Sequence, residues 1–264
     1  MKDLSKHCSD LSKLISGYEE EIDWPNQYEW LNVASGIKRV EFDVLRFNSC
    51  FGYCKNADEW DENREKLLES YITELTRFTY IWGALESLID DIGPPPAPER
   101  GKINSICFYL RNELGLTDSI NPYSKLVNRL YDTLRSSEIN SKVLKKIKKP
   151  DYISENAIGL FVVYKFRNLF AHGSLQFPQP DEENRPISDY PTLIMLSSRI
   201  VLLSMQMIWL CFYKNLNLKS AIHWEADFEG EYGIESILKK IHLMKPHYDF
   251  PFYKQQMIAN MDIL

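Results

Sequence analysis

Between Arg64 and Ile92 the apolar residues Leu67, Leu68, Tyr71, Leu75, Phe78, Ile81, Trp82, Leu85, Leu88 and Ile89 recur at the spacing of one helix face, which predicts a long amphipathic helix. Gly93-Pro94-Pro95-Pro96-Ala97-Pro98 ends it, because proline has no amide hydrogen to donate and disfavours helix in the residue before it. Shorter amphipathic segments follow at Ile103–Leu114 and from Pro122 to Ser136, with Pro122 suited to a first helical turn. Ser154 is placed to cap the next helix, Glu155 favours its positive N-terminus, and the stripe is Ile158, Phe161, Val162, Phe166, Leu169 and Phe170. Gly173 suits a left-handed terminator, and Pro178 and Pro180 block continuation. After a polar, proline-rich loop, Ser188 or Asp189 is the expected cap of a long core helix running from about Pro191 to Leu216.

The two ends read less simply. Tyr28 to Cys54 has helical spacing in Ile37, Val40, Val44, Leu45 and Phe51, although Val40-Glu41-Phe42-Asp43-Val44 alternates as a strand would. Helix is the reading adopted. In the tail, Ile234 to Met244 is expected to be helical. The pattern as a whole predicts an all-α protein: a helical bundle over residues 62–218, an N-terminal extension over 1–61 that is helical and packed on it, and a C-terminal extension over 219–264. No internal repeat or low-complexity tract interrupts it.

Composition narrows the class. With 44% hydrophobic and 13% aromatic residues, the chain can bury a sizeable core and is not disordered. A net charge of -6 argues against a surface built as a whole for nucleic acid, and leaves room for a local basic cleft. The five cysteines (Cys8, Cys50, Cys54, Cys107, Cys211) are scattered. Cys50 and Cys54 have no second pair to complete a zinc site, so no metal is expected and the thiols read as reduced. Met1 to Ser16 has no signal-peptide core, and the apolar run Ile200–Tyr213 is short and broken by Ser204 and Gln206. It reads as a buried core helix rather than a membrane span, and the expectation is a soluble, cytoplasmic protein with no membrane partner.

The candidate chemistry lies at Arg167-Asn168-Leu169-Phe170-Ala171-His172-Gly173, which closes the fourth of these helical segments. Cutting RNA without metal requires a group that takes the proton from a 2′-hydroxyl and a cation that stabilises charge building on the phosphate. Histidine suits the first task because it exchanges protons near neutral pH. Arginine suits the second, since its planar fork stays charged and meets phosphate oxygens in pairs. Asn168 and His172, four apart, share a helix face near Lys165, whereas Arg167 and His172 lie about 140° apart on an ideal helix. The two therefore converge through the reach of arginine, through loosening at the helix end, or through a second subunit. The basic run Lys142, Lys145, Lys146, Lys148, Lys149 is a candidate RNA-backbone contact, or simply a solvated face. No Gly-x-x-x-x-Gly-Lys, Gly-x-Ser-x-Gly or His-Glu-x-x-His motif is present.

The heptapeptide, with Phe161, Tyr164 and Phe166 leading into it, resembles the motif of the HEPN superfamily, in which an arginine precedes a histidine by four to six residues. Tyr80-Ile81-Trp82-Gly83-Ala84-Leu85-Glu86-Ser87-Leu88-Ile89 resembles the other helix of such domains, which often carries an Ala-Leu-Glu segment. The resemblance covers about residues 62–218. It implies a HEPN-like bundle that forms a homodimer with a shared active-site cleft and cleaves RNA to 2′,3′-cyclic phosphate and 5′-hydroxyl ends. It also implies no cofactor, and a role in phage defence, stress or a toxin–antitoxin pair with an antitoxin or regulatory partner. On that basis Arg167 stabilises the scissile phosphate, His172 is the general acid/base, Asn168 bonds the phosphate or holds the histidine, and Glu86 orients Arg167. Ser174 stands where toxins paired with a nucleotidyltransferase antitoxin often have tyrosine. The plain alternatives are a structural ion pair for Arg167, a helix-terminal cation for His172, solvated positions for Asn168 and Glu86, and an inactive helical module that binds protein, RNA or nucleotide.

Overall fold

The computed structural model describes residues 1–16, 25–46, 52, 54–115, 119–137, 148–216 and 234–243. Among them the chain is all-α: α1 (Leu4–Ser16), α2 (Pro25–Gly36), a 3-10 turn at Val44–Arg46, α3 (Lys55–Ile92), α4 (Lys102–Glu113), α5 (Tyr123–Ser136), α6 (Glu155–Ala171), α7 (Asp189–Leu216) and α8 (Ile234–Lys240). No strand is present among the described residues.

The centre of the molecule is α7, which packs on α1, α3, α4, α5, α6 and α8. Every residue from Ile200 to Cys211 is buried. A helix covered on all sides can be apolar on all sides, which is why the stretch from Asp189 to Lys214 is long and hydrophobic enough to cross a membrane yet lies largely buried inside the protein. Its buried serines are satisfied locally. The hydroxyls of Ser197, Ser198 and Ser204 donate to the carbonyls of Leu193, Ile194 and Ile200, four residues back. Leu4, Cys8, Leu11, Leu14 and Ile15 of α1 and Leu238 and Ile241 at α8 join the same apolar cluster as α3–α7, so α1 and α8 share the core of the middle.

Several boundaries differ from the pattern reading. The long helix begins at Lys55, well before its apolar stripe and across the 61/62 division. Among the described residues the helical reading of Tyr28–Cys54 holds to Gly36, where α2 ends, and then only in the short 3-10 turn at Val44–Arg46. Ile37 to Asp43 has no regular structure and is strapped to α3 by side chains at i, i+4 and i+8. Arg77 donates to the Ile37 carbonyl at 2.7 Å and the Lys38 carbonyl at 3.1 Å, Thr73 Oγ1 accepts from Val40 N at 2.9 Å, and Glu69 pairs with Arg39. These groups supply the hydrogen bonds that helix would have supplied. Residues 47–51 and 53, Lys142 to Ile147 and Met244 lie outside the described residues. Ser154 is the N-cap residue of α6, but its hydroxyl makes no capping bond. At α7 it is Ser188 that accepts from the Tyr190 amide at 3.2 Å.

α2 sits close to α3 because residue 83 is glycine: a Cβ there would lie 2.8 Å from the Trp30 ring. Trp30 also stacks at a tilt on Tyr80, with centroids 5.4 Å apart.

Candidate functional site

The heptapeptide ends α6, and its geometry follows from Gly173. That glycine has φ +64°, a left-handed conformation that costs an L side chain energy. It allows the Gly173 amide to bond the Phe170 carbonyl at 3.0 Å and the Ser174 amide to bond the Leu169 carbonyl at 2.7 Å. This is the double-bonded helix terminator in which the last carbonyls are closed by the two residues beyond the cap. His172 is the C-cap residue and is exposed, standing at the negative end of the α6 dipole.

Arg167 is half-buried and turned toward α3. Its guanidinium carbon lies 5.7 Å from the centroid of the Trp82 ring, within range of a cation–π contact. Trp82 is itself held, because its indole N–H donates to Glu86 Oε1 at 2.6 Å. One turn on, Phe170 meets Phe78 edge to face at 5.6 Å and Phe166 at 5.5 Å. Large side chains thus bridge α3 and α6, and they hold the base of the motif in place. Glu86 thus bonds the indole that lies against Arg167, and among the described residues Arg167 forms no ion pair. The ion-pair reading of Arg167 fails for this reason. Lys165 lies over the rings of Phe161 at 4.9 Å and Tyr164 at 5.3 Å.

The motif residues share one helix end, and the His172 amide bonds the Asn168 carbonyl at 3.1 Å. Among the described residues no hydrogen bond joins the side chains of Arg167, Asn168 and His172. Arg167 faces α3, whereas His172 faces solvent. Lys148 and Lys149 are exposed, and Lys149 pairs with Glu155 in the first turn of α6. Seventeen residues of helix separate that turn from His172, about 25 Å of rise, so these lysines lie at the far end of α6 from the motif. Lys145 and Lys146 lie outside the described residues. No group of three or more His, Cys, Asp or Glu side chains capable of holding a metal occurs among the described residues.

Beyond Gly173 the chain turns back along α3. Phe177 meets Tyr71 edge to face at 5.9 Å, Tyr190 does so at 6.0 Å, and Asn63 Nδ2 donates to the Asn184 carbonyl at 2.8 Å. Burial, and then the neighbouring Tyr190, raise the pKa of Tyr71 above the ordinary phenol value. The loop is shaped by Asp181, whose carboxylate accepts from the amides of Arg185 at 2.7 Å and Glu183 at 3.1 Å. Those bonds, led by the Arg185 amide, hold its pKa below the usual carboxylate value. Phe177 is 61% exposed although its edge contact fixes it. Tyr71 and Phe78 are seven residues apart on α3, roughly 10 Å, so the open ring lies about two turns of α3 from the ring that packs on Phe170 of the motif.

Pattern reasoning placed Trp82 in the apolar stripe of α3 rather than at the site, and did not single out Phe177. Trp82 was legible as an aromatic four residues before Glu86, the spacing at which side chains of one helix touch. Phe177 carried no periodic signal, because it lies in a loop.

Comparisons with protein-family models, with curated proteins and with solved structures find no significant match.

Proposed function

We propose that this chain is a metal-independent endoribonuclease of the HEPN type, working in the cytoplasm in phage defence, stress or a toxin–antitoxin pair. The observation that carries the reading is the end of α6. A guanidinium is fixed over the Trp82–Glu86 pair, and an exposed imidazole stands in the glycine-stopped turn five residues on. In the proposed reaction His172 takes the proton of a 2′-hydroxyl, whose oxygen attacks the adjacent phosphorus. The bond to the 5′-oxygen breaks, leaving a cyclic phosphate, and the leaving oxygen takes a proton from water, while His172 gives up to solvent the proton it took. Arg167 neutralises the charge that builds on the phosphate oxygens, and Asn168 supplies an amide to the same phosphate. The open ring of Phe177 offers a stacking face for an unpaired base, the common way of gripping single-stranded RNA. Because Arg167 and His172 face different ways within one chain, a homodimer in which each copy completes the other's cleft is part of the proposal.

A non-enzymatic helical module that binds RNA, nucleotide or protein is the second reading. The His172 imidazole has no hydrogen-bond partner among the described residues to orient it, which favours that reading.

The test is incubation of labelled RNA with the wild-type protein, Arg167→Ala and His172→Ala in EDTA, with the ends mapped and the mass in solution measured. A nuclease leaves cyclic phosphate ends, and His172→Ala lowers the rate by about 10²–10⁴-fold, the usual worth of a general acid/base, while remaining folded. No cleavage across a broad RNA panel, or equal cleavage by all three proteins, refutes the enzymatic reading.

A further inference from the structure

Away from the motif, the core contains a closed polar cluster that joins α1, α7 and α8. Gln206 of α7, with no exposed surface, is its hub. Its Oε1 lies 2.8 Å from His7 Nε2. Its Nε2 bonds the Leu238 carbonyl of α8 and lies 3.3 Å from Nδ1 of His242, and Nε2 of His242 lies 2.6 Å from the Asn121 carbonyl ahead of α5. The backbone closes the ring: the Lys2 amide donates to the His242 carbonyl at 3.0 Å, and Arg199 donates to the Lys2 carbonyl at 2.8 Å.

The hydrogen positions in this cluster follow from which atoms can only accept. The Leu238 carbonyl accepts only, so the amide nitrogen of Gln206 must face it and the amide oxygen must face His7. His7 is therefore the Nε2–H tautomer, with a bare Nδ1 that is buried and has no partner. His242 must accept at Nδ1 from Gln206, which leaves its Nε2–H to donate to the Asn121 carbonyl. Each imidazole has one place left for a second proton, and neither place has an acceptor. At His7 the proton would be an unpaired buried charge. At His242 it would set N–H against N–H.

The surrounding charges deepen the effect. Lys2 and Arg199 face His7, and Lys2 and the Met1 amino group face His242. The nearby carboxylate, Asp10, is engaged by Lys2 at 2.5 Å and Lys6 at 2.7 Å, while Asp3 and Glu74 act on Arg199. On α8 itself Glu235 is paired with Lys239 at 2.7 Å, and Lys240 is exposed. Burial, aided by these cations, lowers the pKa of both histidines, that of His7 to about 3.

We propose that this cluster is a proton-operated latch: acidification undocks α8 with His242 from Gln206 while α3, α6 and α7 remain packed. The piece that leaves is small, a seven-residue helix packed on α7, and an element with so few buried contacts opens more readily than the core. Its departure uncovers Gln206 and the apolar surface under Leu238 and Ile241. The latch does not depend on the nuclease reading.

The sign follows from linkage. The docked state has the lowered pKa, so docking is at full strength above the ordinary histidine value of about 6.5 and weakens as pH falls from there toward 3. An opening that lets His7 take its proton becomes about 25-fold more favourable between pH 7 and pH 5, and His242 adds to that. The experiment is amide hydrogen exchange of the full chain at both pH values, corrected for intrinsic exchange. The expected result is at least that rise in opening for 234–243, with α6 and α7 unchanged, and its loss in the His7→Gln/His242→Gln double variant, which cannot take up the protons. No rise, or an equal rise in α6 and α7, overturns the latch. If the double variant does not fold, imidazole nitrogen shifts of the wild type decide instead. Two neutral Nε2–H rings at pH 6 support the latch, and titration near 6.5 with α8 still docked overturns it.

Discussion

Replacing Gly173 with alanine separates backbone geometry from packing at the candidate site. A Cβ at this position meets nothing within 4 Å, and φ is +64°, so the whole cost is conformational. Holding an L residue in the left-handed region costs about 1–2 kcal/mol. Against this, alanine stiffens the unfolded chain and recovers about 0.4–1 kcal/mol. The net loss is about 1 kcal/mol, a fall in Tm of roughly 2–4 °C for a chain of about this size. It has a ceiling, because the turn can instead unwind and give up the Gly173–Phe170 and Ser174–Leu169 bonds, each worth about 1 kcal/mol. Asparagine tolerates the left-handed region better, so Gly173→Asn should fall between wild type and Gly173→Ala in urea unfolding. Since His172 is the residue that this turn presents, RNA cleavage should fall in the same order. A Gly173→Ala protein as stable as wild type would refute the assigned turn geometry. Equal cleavage by all three proteins, despite the stability order, would sever that geometry from the proposed chemistry.

Other consequences can be checked separately. Trp82→Phe keeps a ring beneath Arg167 but loses the bond to Glu86 at 2.6 Å. Cleavage should drop more than stability, with Glu86→Gln, which retains an acceptor, close to wild type; a Trp82→Phe protein cleaving as wild type does would remove Trp82 from the positioning of Arg167. Phe177→Ala removes a ring that is already 61% exposed, so unfolding should shift by less than about 1 kcal/mol. Its affinity for single-stranded RNA should fall by the roughly 1–3 kcal/mol of one stacked base, and unchanged affinity excludes stacking there. Thr73→Val removes the acceptor for the Val40 amide and should cost about 1–3 kcal/mol, with faster hydrogen exchange confined to residues 37–43. Exchange in that segment identical to wild type would show that Thr73 does not hold it.

The helices of the middle were legible because each one's apolar stripe is a local property. Leu67 to Ile89 repeats at the period of a helix face, and a left-handed glycine closes α3 and α6 on chemistry confined to one or two residues. Gly173 belongs with these: its role as a left-handed stop was readable, and it sets the turn that carries His172. What lies between elements was not readable in that way. The segment from Ile37 to Asp43 alternates and spaces ambiguously, and the choice against helix was made by Glu69, Thr73 and Arg77, some thirty to forty residues further on. The facing of Arg167 toward Trp82 and of His172 toward solvent depends on how α6 lies against α3, and no period within α6 encodes that. His7, Gln206 and His242 show the limit most clearly. Scattered along the chain they carry no spacing signal, and one reads as a mere interruption of an apolar run. Only folding brings Gln206 within bonding distance of both histidines, because hydrogen bonds and burial act through space while periodicity acts along the chain.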